Sequence, residues 1–556
     1  MNASTATAVP QYFIVGDNSD SRCQFATIQQ ALQAALANGP GLDYVMLTNT
    51  ATYTNTAVQV GAQSVLIEGG YANCDLDPDG GQPFADLVGN GSDPVIRIEP
   101  IASGTHDVRL SGLRIRGGGR NDANGGGVRM ATAPGATVLL TIRNSEITAN
   151  RALSGGGVHA ARGSGNAAGF ALTLEPGTRI HDNTAASNGG GLNLWGGNTF
   201  IAADGVRIDH NSAAGAGGGI ATLSGTFIAV GNPNIETWPA RNDVTGARIE
   251  SNTAGTSGGG LYLSGIDSVM EARELIVDDN RAGFGGGGGA VASGASFSML
   301  RDTPNAFGWY CPPALECTRL SNNRVADGIT LDANGGALAV YGSASAWLIQ
   351  TLVRDNAAQD GSAVFINGAG IVNTEGSVFS GNRSYDPTGG LSATIRSRYT
   401  PPSAAPKLRL AYSTLVENKR LDANSSLQPG LVLLAQSTDL RVYSSALFDG
   451  NTIMDSAGIS DCAVLGPDSG LPAGSNTRLS FATQAPARIF LAPARKDWRP
   501  RFDSPLTDVC DASQHAPSYS DRDLNSRCRN DARPDNWGTC EAGAWENDQL
   551  FANGFD

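Results

Sequence analysis

Short apolar runs of three to five residues, separated by Gly, Asn and Asp, fill most of this chain. In a run such as Leu261-Tyr262-Leu263, every second side chain would point inward, because side chains alternate along a strand. Between residues 105 and 455, no ten-residue stretch has the apolar spacing of a helix. The pattern therefore predicts an all-β fold made of many short strands.

One helix is expected near the amino terminus. Residues 27–30, Thr-Ile-Gln-Gln, have the form of a capping box, and Gly39-Pro40 would end the helix. Its buried face would consist of Ile28, Leu32, Ala35 and Leu36. Strands are predicted after it at residues 44–47, 58–60, 65–67 and 95–98.

A large apolar residue, two variable residues and asparagine recur ten times, with 26 to 43 residues between successive asparagines. The asparagines are Asn150, Asn183, Asn211, Asn252, Asn280, Asn323, Asn356, Asn382, Asn418 and Asn451. Glycine clusters such as 155–157 and 189–191 follow most of them. Units of this length that bury their apolar face only against neighbours form solenoids. Three short strands per unit predict a single-stranded, right-handed parallel β-helix.

The asparagines would share one corner of successive coils, which stack about 4.8 Å apart, and would bond to one another along the stack. Because asparagine tolerates left-handed backbone, we expect it to form the sharp corner itself. We expect residues 1–104 to form an amino-terminal cap with the first coils and residues 105–455 to form the repeats. Residues 456–556 would form the last coils and a disulfide-containing carboxy-terminal cap.

The pairing of hydrophobic-x-x-Asn with Gly-Gly-Gly-hydrophobic resembles the repeats of polymorphic outer-membrane proteins. More broadly, it resembles the pectin-lyase-like superfamily of right-handed β-helices, and the resemblance covers roughly residues 25–455. It implies a β-helix with a capping helix at its amino-terminal end. In the tail, residues 504–508, 521–527 and 541–546 resemble the ending of bacterial surface proteins with a choice-of-anchor tail. That likeness implies export.

The formal net charge is −14, from 52 Asp and Glu against 38 Lys and Arg. Such a charge repels phosphate backbones, so we expect no nucleic-acid partner, and it is compatible with neutral glycans. We expect a carbohydrate or cell-surface ligand and a monomer. The sequence contains no run of 18 apolar residues, so we expect no transmembrane segment. Residues 1–5 lack the basic and apolar parts of a secretory signal, yet the tail and the cysteines favour a secreted or bacterial cell-surface location.

The cysteine count is even, and none of the eight cysteines forms a C-x-x-C metal knuckle. They lie in the two end regions and in one insertion, which suits disulfides that tie down the non-repetitive parts. We expect the pairs Cys23–Cys74 and Cys311–Cys317. The pairing of the other four stays open, and these are Cys462, Cys510, Cys528 and Cys540.

Aligning the repeats on their asparagines places acidic residues in one file. His181, Asp209, Glu250 and Asp278 come two residues before the asparagine, and Arg179, Arg207 and Arg248 come two residues earlier still. Both positions would share the outward face of a strand. One interpretation is catalysis by Asp209, Glu250, Asp278, Arg207 and Arg248 on an acidic polysaccharide, as a lyase or glycoside hydrolase. The preferred one is a solvated face on which Arg207–Asp209 and Arg248–Glu250 neutralise each other.

Two further features suggest ligands. Asp75, Asp77 and Asp79 begin like a calcium-binding loop and Asp86 falls at its twelfth position, although an acidic surface loop is the alternative. Calcium is the one cofactor that the sequence suggests. Two insertions carry aromatic residues that would either stack on sugar rings or anchor the loops, and these are Trp238, Trp309 and Tyr310.

Taken together, these features predict an exported bacterial β-helix that acts as an adhesin or structural rod and contacts glycans. A polysaccharide lyase or glycoside hydrolase is the alternative. The preferred interpretation is not an enzyme, because the acidic file has its own arginines and no nucleophile–base motif accompanies it.

Overall fold

A computed structural model of the chain describes most residues up to 448 and short segments beyond. The described residues are 9–16, 20–76, 84–99, 103–163, 169–202, 205–231, 246–300, 318–325, 333–385, 391–399, 401, 403–421, 426–434, 437–448, 452–454, 459–465, 476–480, 488–495, 497–500, 504 and 506. The chain divides into two compact units, Met1–Ile235 with Thr245–Met270, and Glu236–Val244 with Glu271–Asp556. This division falls inside the predicted repeat region, and the predicted domain boundaries stay predictions.

The described part of the first unit contains one α-helix and many short strands. They are β1 (Tyr12–Val15), α1 (Ile28–Asn38), β2 (Leu42–Thr48), β3 (Thr52–Thr56), β4 (Val58–Val60), β5 (Ser64–Tyr71), β6 (Ala85–Gly89), β7 (Ile96–Ile98), β8 (Gly104–Ser111), β9 (Leu113–Arg116), β10 (Val128–Thr132), β11 (Ala136–Arg143), β12 (Glu146–Thr148), β13 (Arg151–Ala152), β14 (Val158–Arg162), β15 (Phe170–Leu174), β16 (Arg179–His181), β17 (Thr184–Ala185), β18 (Leu192–Ala202), β19 (Arg207–Asp209), β20 (Ser212–Ala213), β21 (Ile220–Gly231), β22 (Ala247–Glu250), β23 (Thr253–Ala254) and β24 (Leu261–Ser264).

Strand β25 (Val269–Arg273) contains the boundary between the units, and the second unit continues with strands of the same kind. They are β26 (Leu275–Asp278), β27 (Arg281–Ala282), β28 (Gly289–Ala292), β29 (Ser296–Leu300), β30 (Arg319–Ser321), β31 (Arg324–Val325), β32 (Leu338–Tyr341), β33 (Ser345–Ile349), β34 (Leu352–Arg354), β35 (Ala357–Ala358), β36 (Val364–Asn367), β37 (Ile371–Glu375), β38 (Val378–Ser380), β39 (Arg383–Tyr385), β40 (Ile395–Arg398), β41 (Lys407–Ala411), β42 (Thr414–Val416), β43 (Lys419–Leu421), β44 (Leu427–Pro429), β45 (Leu431–Leu433), β46 (Asp439–Leu447), β47 (Thr452–Met454), β48 (Ile459–Leu465), β49 (Asn476–Ser480), β50 (Phe490–Ala492) and β51 (Asp497–Pro500).

Most of the described strands pair with the strand one repeat later in the chain, while β43–β44 and β50–β51 are antiparallel pairs. In the first unit β9 pairs with β12, β12 with β16, β16 with β19, and β19 with β22, and every one of these pairs is parallel. In the second unit β30 pairs with β34, β34 with β38, and β38 with β42, again in parallel. Stacked parallel strands of this kind are compatible with a β-helix or solenoid, so the predicted all-β repeat fold is confirmed at that level.

Helix α1 begins and ends where the capping residues predict. The Oγ1 of Thr27 accepts a hydrogen bond from the Gln30 amide at 3.3 Å, and Gly39 follows the last turn with φ of 101°. Ile28, Leu32 and Ala35 are buried as expected. Leu36 is 50% exposed, so its placement on the buried face was wrong, and Ala31 takes that place. The four strands predicted after the helix are confirmed within β2, β4, β5 and β7.

Large apolar residues three positions before the asparagines form part of the core. In the first unit Ile147, Ile180, Ile208 and Ile249 lie in register on successive strands, and each is at most 1% exposed. Burying a side chain of this size contributes roughly 1.5–3 kcal/mol. Because each isoleucine covers the next one, the repeated apolar position forms a continuous row of the core.

The asparagines form a continuous hydrogen-bonded file within each unit. In the first unit, the Nδ2 atoms of Asn150, Asn183 and Asn211 each donate to the Oδ1 of the next asparagine at 3.0 Å, ending at Asn252. In the second unit the same bonds, 2.8–3.0 Å long, link Asn280, Asn323, Asn356, Asn382 and Asn418. The predicted file is therefore present over both described stretches, and Asn451 lies outside the described residues.

Each asparagine also satisfies backbone groups of the neighbouring coils. The Oδ1 of Asn211 accepts from the amide of Asn183 at 3.1 Å, and its Nδ2 donates to the carbonyl of Ile180 at 2.8 Å. Asn211 is 1% exposed and Asn183 is fully buried. A buried amide side chain is costly unless its donors and acceptors are paired, and here the neighbouring coil provides the partners.

The left-handed corner belongs to the residue before each asparagine, not to the asparagine itself. Asp182, His210 and Ser251 in the first unit have φ of 53° to 55°, and Asp279 and Asn322 in the second have φ of 50° and 54°. The prediction that asparagine forms the corner was therefore wrong. Asparagine is needed after the corner, because its side chain must point inward to reach the next coil.

The glycine clusters fit against the asparagine file. Gly189 has φ of 67°, a conformation that residues with a side chain rarely adopt. Gly191 lacks space for a side chain, because a Cβ atom there would lie 2.7 Å from the carbonyl oxygen of Gly219 and 3.1 Å from Asn211 Nδ2. The two sequence signals, glycine cluster and asparagine, therefore mark two sides of one contact between coils.

The Cys23–Cys74 disulfide is present, with Cα atoms 5.2 Å apart, as predicted. It joins the segment before α1 to the turn after β5, 51 residues later. The predicted Cys311–Cys317 pair lies outside the described residues. None of the helices in the described part of the chain is long and apolar enough to span a membrane.

Replacing one asparagine tests the importance of the file. Asn183→Ala removes the acceptor of the Asn150 amide and the donor to the Ile147 carbonyl, which lie 3.1 and 2.8 Å from it. Leaving buried polar groups unpaired costs about 1–3 kcal/mol each, so we expect a loss of roughly 3 kcal/mol or more in the free energy of unfolding. Urea denaturation followed by circular dichroism measures it.

The matched control is Thr184→Ala at the adjacent, exposed position. It should change the urea midpoint little, since surface substitutions usually lie within about 0.5 kcal/mol. Equal midpoints for Asn183→Ala and Thr184→Ala would contradict the role assigned to the file.

Candidate functional site

The outer side of one sheet in the first unit carries alternating acids and arginines. We call this set the charged face, and it consists of Asp86, Arg114, Arg116, Glu146, Arg179, His181, Arg207, Asp209, Arg248 and Glu250. These residues lie on β6, β9, β12, β16, β19 and β22, which pair in that order. Parallel register brings side chains about thirty residues apart in sequence into contact on adjacent strands.

The register within the face is the one that the repeat alignment predicts. Arg179 lies opposite Arg207, and Arg207 opposite Arg248. In the parallel file next to them, Asp209 lies opposite Glu250. The sequence therefore placed four of the five candidate catalytic residues on neighbouring strands correctly.

The ion pairs of the face run between coils. Arg179 binds Asp209 of the next strand with both ends of its guanidinium, Nε to Oδ1 at 2.9 Å and Nη2 to Oδ2 at 2.6 Å. Arg207 pairs with Glu250 of the next strand through Nη2 alone, and Arg248 reaches Glu250 at 3.4 Å from its own strand. The expected Arg248–Glu250 pair is thus present, but Asp209 is bound by Arg179 and not by Arg207.

Asp209 is covered completely. Its side chain has no exposed surface, while that of Glu250 is 11% exposed, so the predicted solvated face was wrong at these two carboxylates. Burial alone would raise the pKa of Asp209, but hydrogen bonds from Arg179 and His210 and the charges of Arg179 and Arg207 outweigh it and lower this pKa. Asp209 is therefore a buried carboxylate held ionised by its neighbours.

His210 was interpreted from the sequence as a surface residue and was not among the candidate site residues. Its Nδ1 lies 2.8 Å from Oδ2 of Asp209, and its side chain is 55% exposed. Since an ionised carboxylate can only accept, Nδ1 of His210 is the donor in this hydrogen bond. An aspartate that orients a histidine in this way is a common arrangement for a general base. The signal was available, because His210 directly follows Asp209 in the sequence.

The charged face also extends further towards the amino terminus than the repeat alignment suggested. Arg116 binds Asp86 at 2.6 and 2.8 Å, and Arg114 lies 2.7 Å from Glu146. The apolar-x-x-Asn pattern begins only at Asn150, because Gly118 stands where the preceding asparagine would be. The amide of Gly118 donates to the Oδ1 of Asn150 at 2.9 Å and so begins the file.

Asp278 lies in the second unit and has other partners. Its Oδ1 accepts from Ser321 Oγ at 2.6 Å and from Asn322 Nδ2 at 2.9 Å, and Arg319 lies 3.8 Å away. Its role as a catalytic residue together with Asp209 and Glu250 stays a prediction.

The two predicted calcium ligands that the structure describes form ion pairs with arginines. Asp75 pairs with Arg22, and Asp86 belongs to β6 and binds Arg116. Asp77 and Asp79 lie outside the described residues. In the described part of the chain the one grouping close enough to share a metal is Asp20, Cys23 and Cys74, whose sulfurs are bonded to each other. Calcium binding stays a prediction.

The aromatic residues proposed for sugar stacking lie outside the described residues, and these are Trp238, Trp309 and Tyr310. Among the described residues of the first unit, Trp195 on β18 is 54% exposed.

Comparison with known proteins gives no assignment. No family model matches the sequence, and neither curated proteins nor solved structures contain a match. The resemblance to polymorphic outer-membrane proteins and pectin-lyase-like β-helices therefore stays a prediction.

A second histidine of the first unit is buried and neutral. His159 on β14 is 6% exposed, and its Nδ1 lies 3.0 Å from Asn193 Oδ1. Burial lowers the pKa of His159 to about 4, and the nearby charge of Arg129 acts in the same direction. The side chain of His159 is therefore far less accessible than that of His210.

The lowered pKa of His159 predicts a loss of stability in mild acid. Because the unfolded chain binds this proton near pH 6.5 and the folded chain only near pH 4, stability is full above pH 6.5 and falls as the pH drops towards 4. We expect His159→Gln to reduce this fall by about 2–3 kcal/mol, measured as urea midpoints between pH 7.5 and 4.

The control is Thr184→Ala, which replaces an exposed residue of the same unit that does not titrate. It should keep the acid-dependent loss of the unmodified chain. If His159→Gln keeps it as well, burial of the neutral imidazole is not its cause.

Proposed function

We propose that this protein is an exported β-helix that acts as an adhesin or structural component at the bacterial cell surface and contacts neutral glycans. In this proposal the stacked strands wind as a single-stranded, right-handed β-helix of the pectin-lyase-like kind. Helix α1 covers its amino-terminal end, and the segment after residue 456 closes the other end and retains the protein at the surface.

The observation that carries a non-catalytic role is the internal pairing of the charged face. Its five arginines and four carboxylates bind one another across the strands, so a substrate meets no pair of free carboxylates. Glycoside hydrolysis needs two carboxyl groups that reach the sugar. Asp209 has no exposed surface for such a contact.

Location and ligand class have separate support. The Cys23–Cys74 disulfide suits an oxidising compartment, since disulfides rarely persist in the cytosol. The formal charge of −14 disfavours an acidic polymer as ligand. The charged face contributes only +1 to that total, so it offers little compensation for a polyanion. A neutral glycan is not repelled by the negative chain and needs no positive surface to bind.

A polysaccharide panel tests the proposal. We expect the full chain to be retarded in native gels that contain neutral polysaccharides, while no new reducing ends and no absorbance of unsaturated products appear. The double variant Asp209→Asn, Glu250→Gln should be retarded equally, because these carboxylates are buried by their arginines. New reducing ends that disappear in the double variant would overturn the non-catalytic assignment.

A polysaccharide lyase is the second candidate, and the Asp209–His210 contact is the observation that favours it. Nε2 of His210 would remove the proton next to a uronate carboxylate, and the glycosidic oxygen on the next carbon would leave as the double bond forms. Arg207 and Arg248, whose side chains are 47% and 33% exposed, would bind the carboxylate. Asp209 would orient His210 and would not touch the substrate.

This candidate predicts a specific pattern of loss. If uronic-acid polysaccharides yield unsaturated product, His210→Ala should lower the rate of product formation at least a hundredfold, in line with general-base contributions of about 10²–10⁴. The matched control is His181→Ala on the adjacent strand, which should keep this rate because the His181 side chain is only 12% exposed. Equal activity of His210→Ala and the unmodified chain would exclude His210 as the base.

A further inference from the structure

A cleft lies beside the first turn of helix α1. The residues that line it precede those of the charged face in the sequence. Its volume is about 640 Å³, and residues 26–29 and 50–58 form most of its walls. Small-molecule sites typically measure about 300–1,000 Å³. The cleft is thus large enough for a ligand, and it shares no residue with the charged face.

The cleft lies between the first turn of α1 and the segment that contains β3. The helix packs against β1, β2 and β4. In the described part of the chain, β3 pairs only with β6. Strand β3 is thus the first of the paired strands that continue into the charged face. Its register shifts between Tyr53 and Thr56, and Asn55 between them has φ of 53°. A bulge at a sheet edge turns side chains out of the regular pattern, and bulges are frequent beside binding sites.

The lining combines an apolar floor with uncharged polar walls. Ile28, Tyr53 and Val58 are buried. The hydroxyl of Tyr53 donates to the carbonyl of Val15 at 3.0 Å, so its ring is fixed. No residue of the lining carries a charge. The cleft therefore offers neither a cation for a phosphate or carboxylate nor an anion for a base.

Four polar side chains of the lining are exposed and have no hydrogen-bond partner within the described residues, and these are Thr50, Thr52, Thr54 and Asn55. Hydroxyls donate and accept, and the amide of Asn55 does both with separate atoms. A ligand that matches them needs many groups that also donate and accept, together with apolar surface for the floor.

We propose that this cleft binds one or two sugar residues of a neutral glycan. A sugar ring carries hydroxyls along its rim for the threonines and asparagine, and C–H groups on its faces for the apolar floor. The inference rests on the proposed function, because it names the place at which the protein holds its neutral glycan.

Calorimetry with the full chain tests the site, using hexasaccharides of neutral glucans, mannans and xylans as probes. For a hexasaccharide that the unmodified chain binds, Ala57→Trp fills the cleft and should weaken binding at least twentyfold. Thr52→Val removes one hydroxyl and should weaken it two- to tenfold, as expected for one lost hydrogen bond. The matched controls are Ala37→Trp, on the exposed side of α1, and Thr184→Val, on β17, and both should bind normally.

The outcomes separate this inference from the proposed function. Binding that survives Ala57→Trp, with the urea midpoint unchanged, overturns the cleft as the site and leaves glycan contact in place. Binding that is lost in Ala57→Trp while unsaturated products appear keeps the cleft and overturns the non-catalytic role. If the unmodified chain binds none of the probes, the inference and the neutral-glycan part of the proposed function both fail.

Discussion

The structure depends on one interaction, the buried asparagine that bonds to an asparagine one coil away. Its Oδ1 accepts from the backbone amide and the side-chain amide of the preceding coil, as Asn183 and Asn211 show. Its Nδ2 also binds a carbonyl of that coil. Inside an apolar interior these groups have no water to bind, so each coil is satisfied only when the next one is in register. The polar file adds specificity to the apolar core, because isoleucine alone would tolerate a slip.

A fixed register determines the chemistry of the surface. Arg179 and Asp209 are thirty residues apart in sequence, yet they form a bidentate pair because β16 and β19 are neighbours. The same geometry places Arg207 on Glu250. Ion pairs at exposed sites contribute about 1 kcal/mol or less, but Asp209 is fully covered, and removing Arg179 would leave a buried charge unpaired. The arginines thus belong to the packing of the strands as much as to their surface.

The apolar-x-x-Asn period revealed the stacked parallel strands, the asparagine file and the neighbours of Asp209, because each is a consequence of periodicity. Features that depend on local geometry were missed. The left-handed residue precedes the asparagine, as at His210, and the period alone does not say which residue forms the corner. Burial of Asp209 depends on how far arginine side chains reach across a strand. The start of the file could not be predicted at Gly118, since a backbone amide there takes the place of an asparagine side chain.

The charged face and the cleft differ in what they leave unpaired, and this difference favours the cleft as the place of contact. On the face, the strongest donors and acceptors have already found each other, and a ligand would have to replace bonds as short as 2.6 Å. In the cleft, the side chains of Thr52, Thr54 and Asn55 are exposed and have no hydrogen-bond partner among the described residues, so a ligand would displace only bulk water there. A site that exchanges equivalent hydrogen bonds over an apolar floor gains mainly from buried C–H surface. Shape and apolar contact, more than charge, would then decide which glycan is bound.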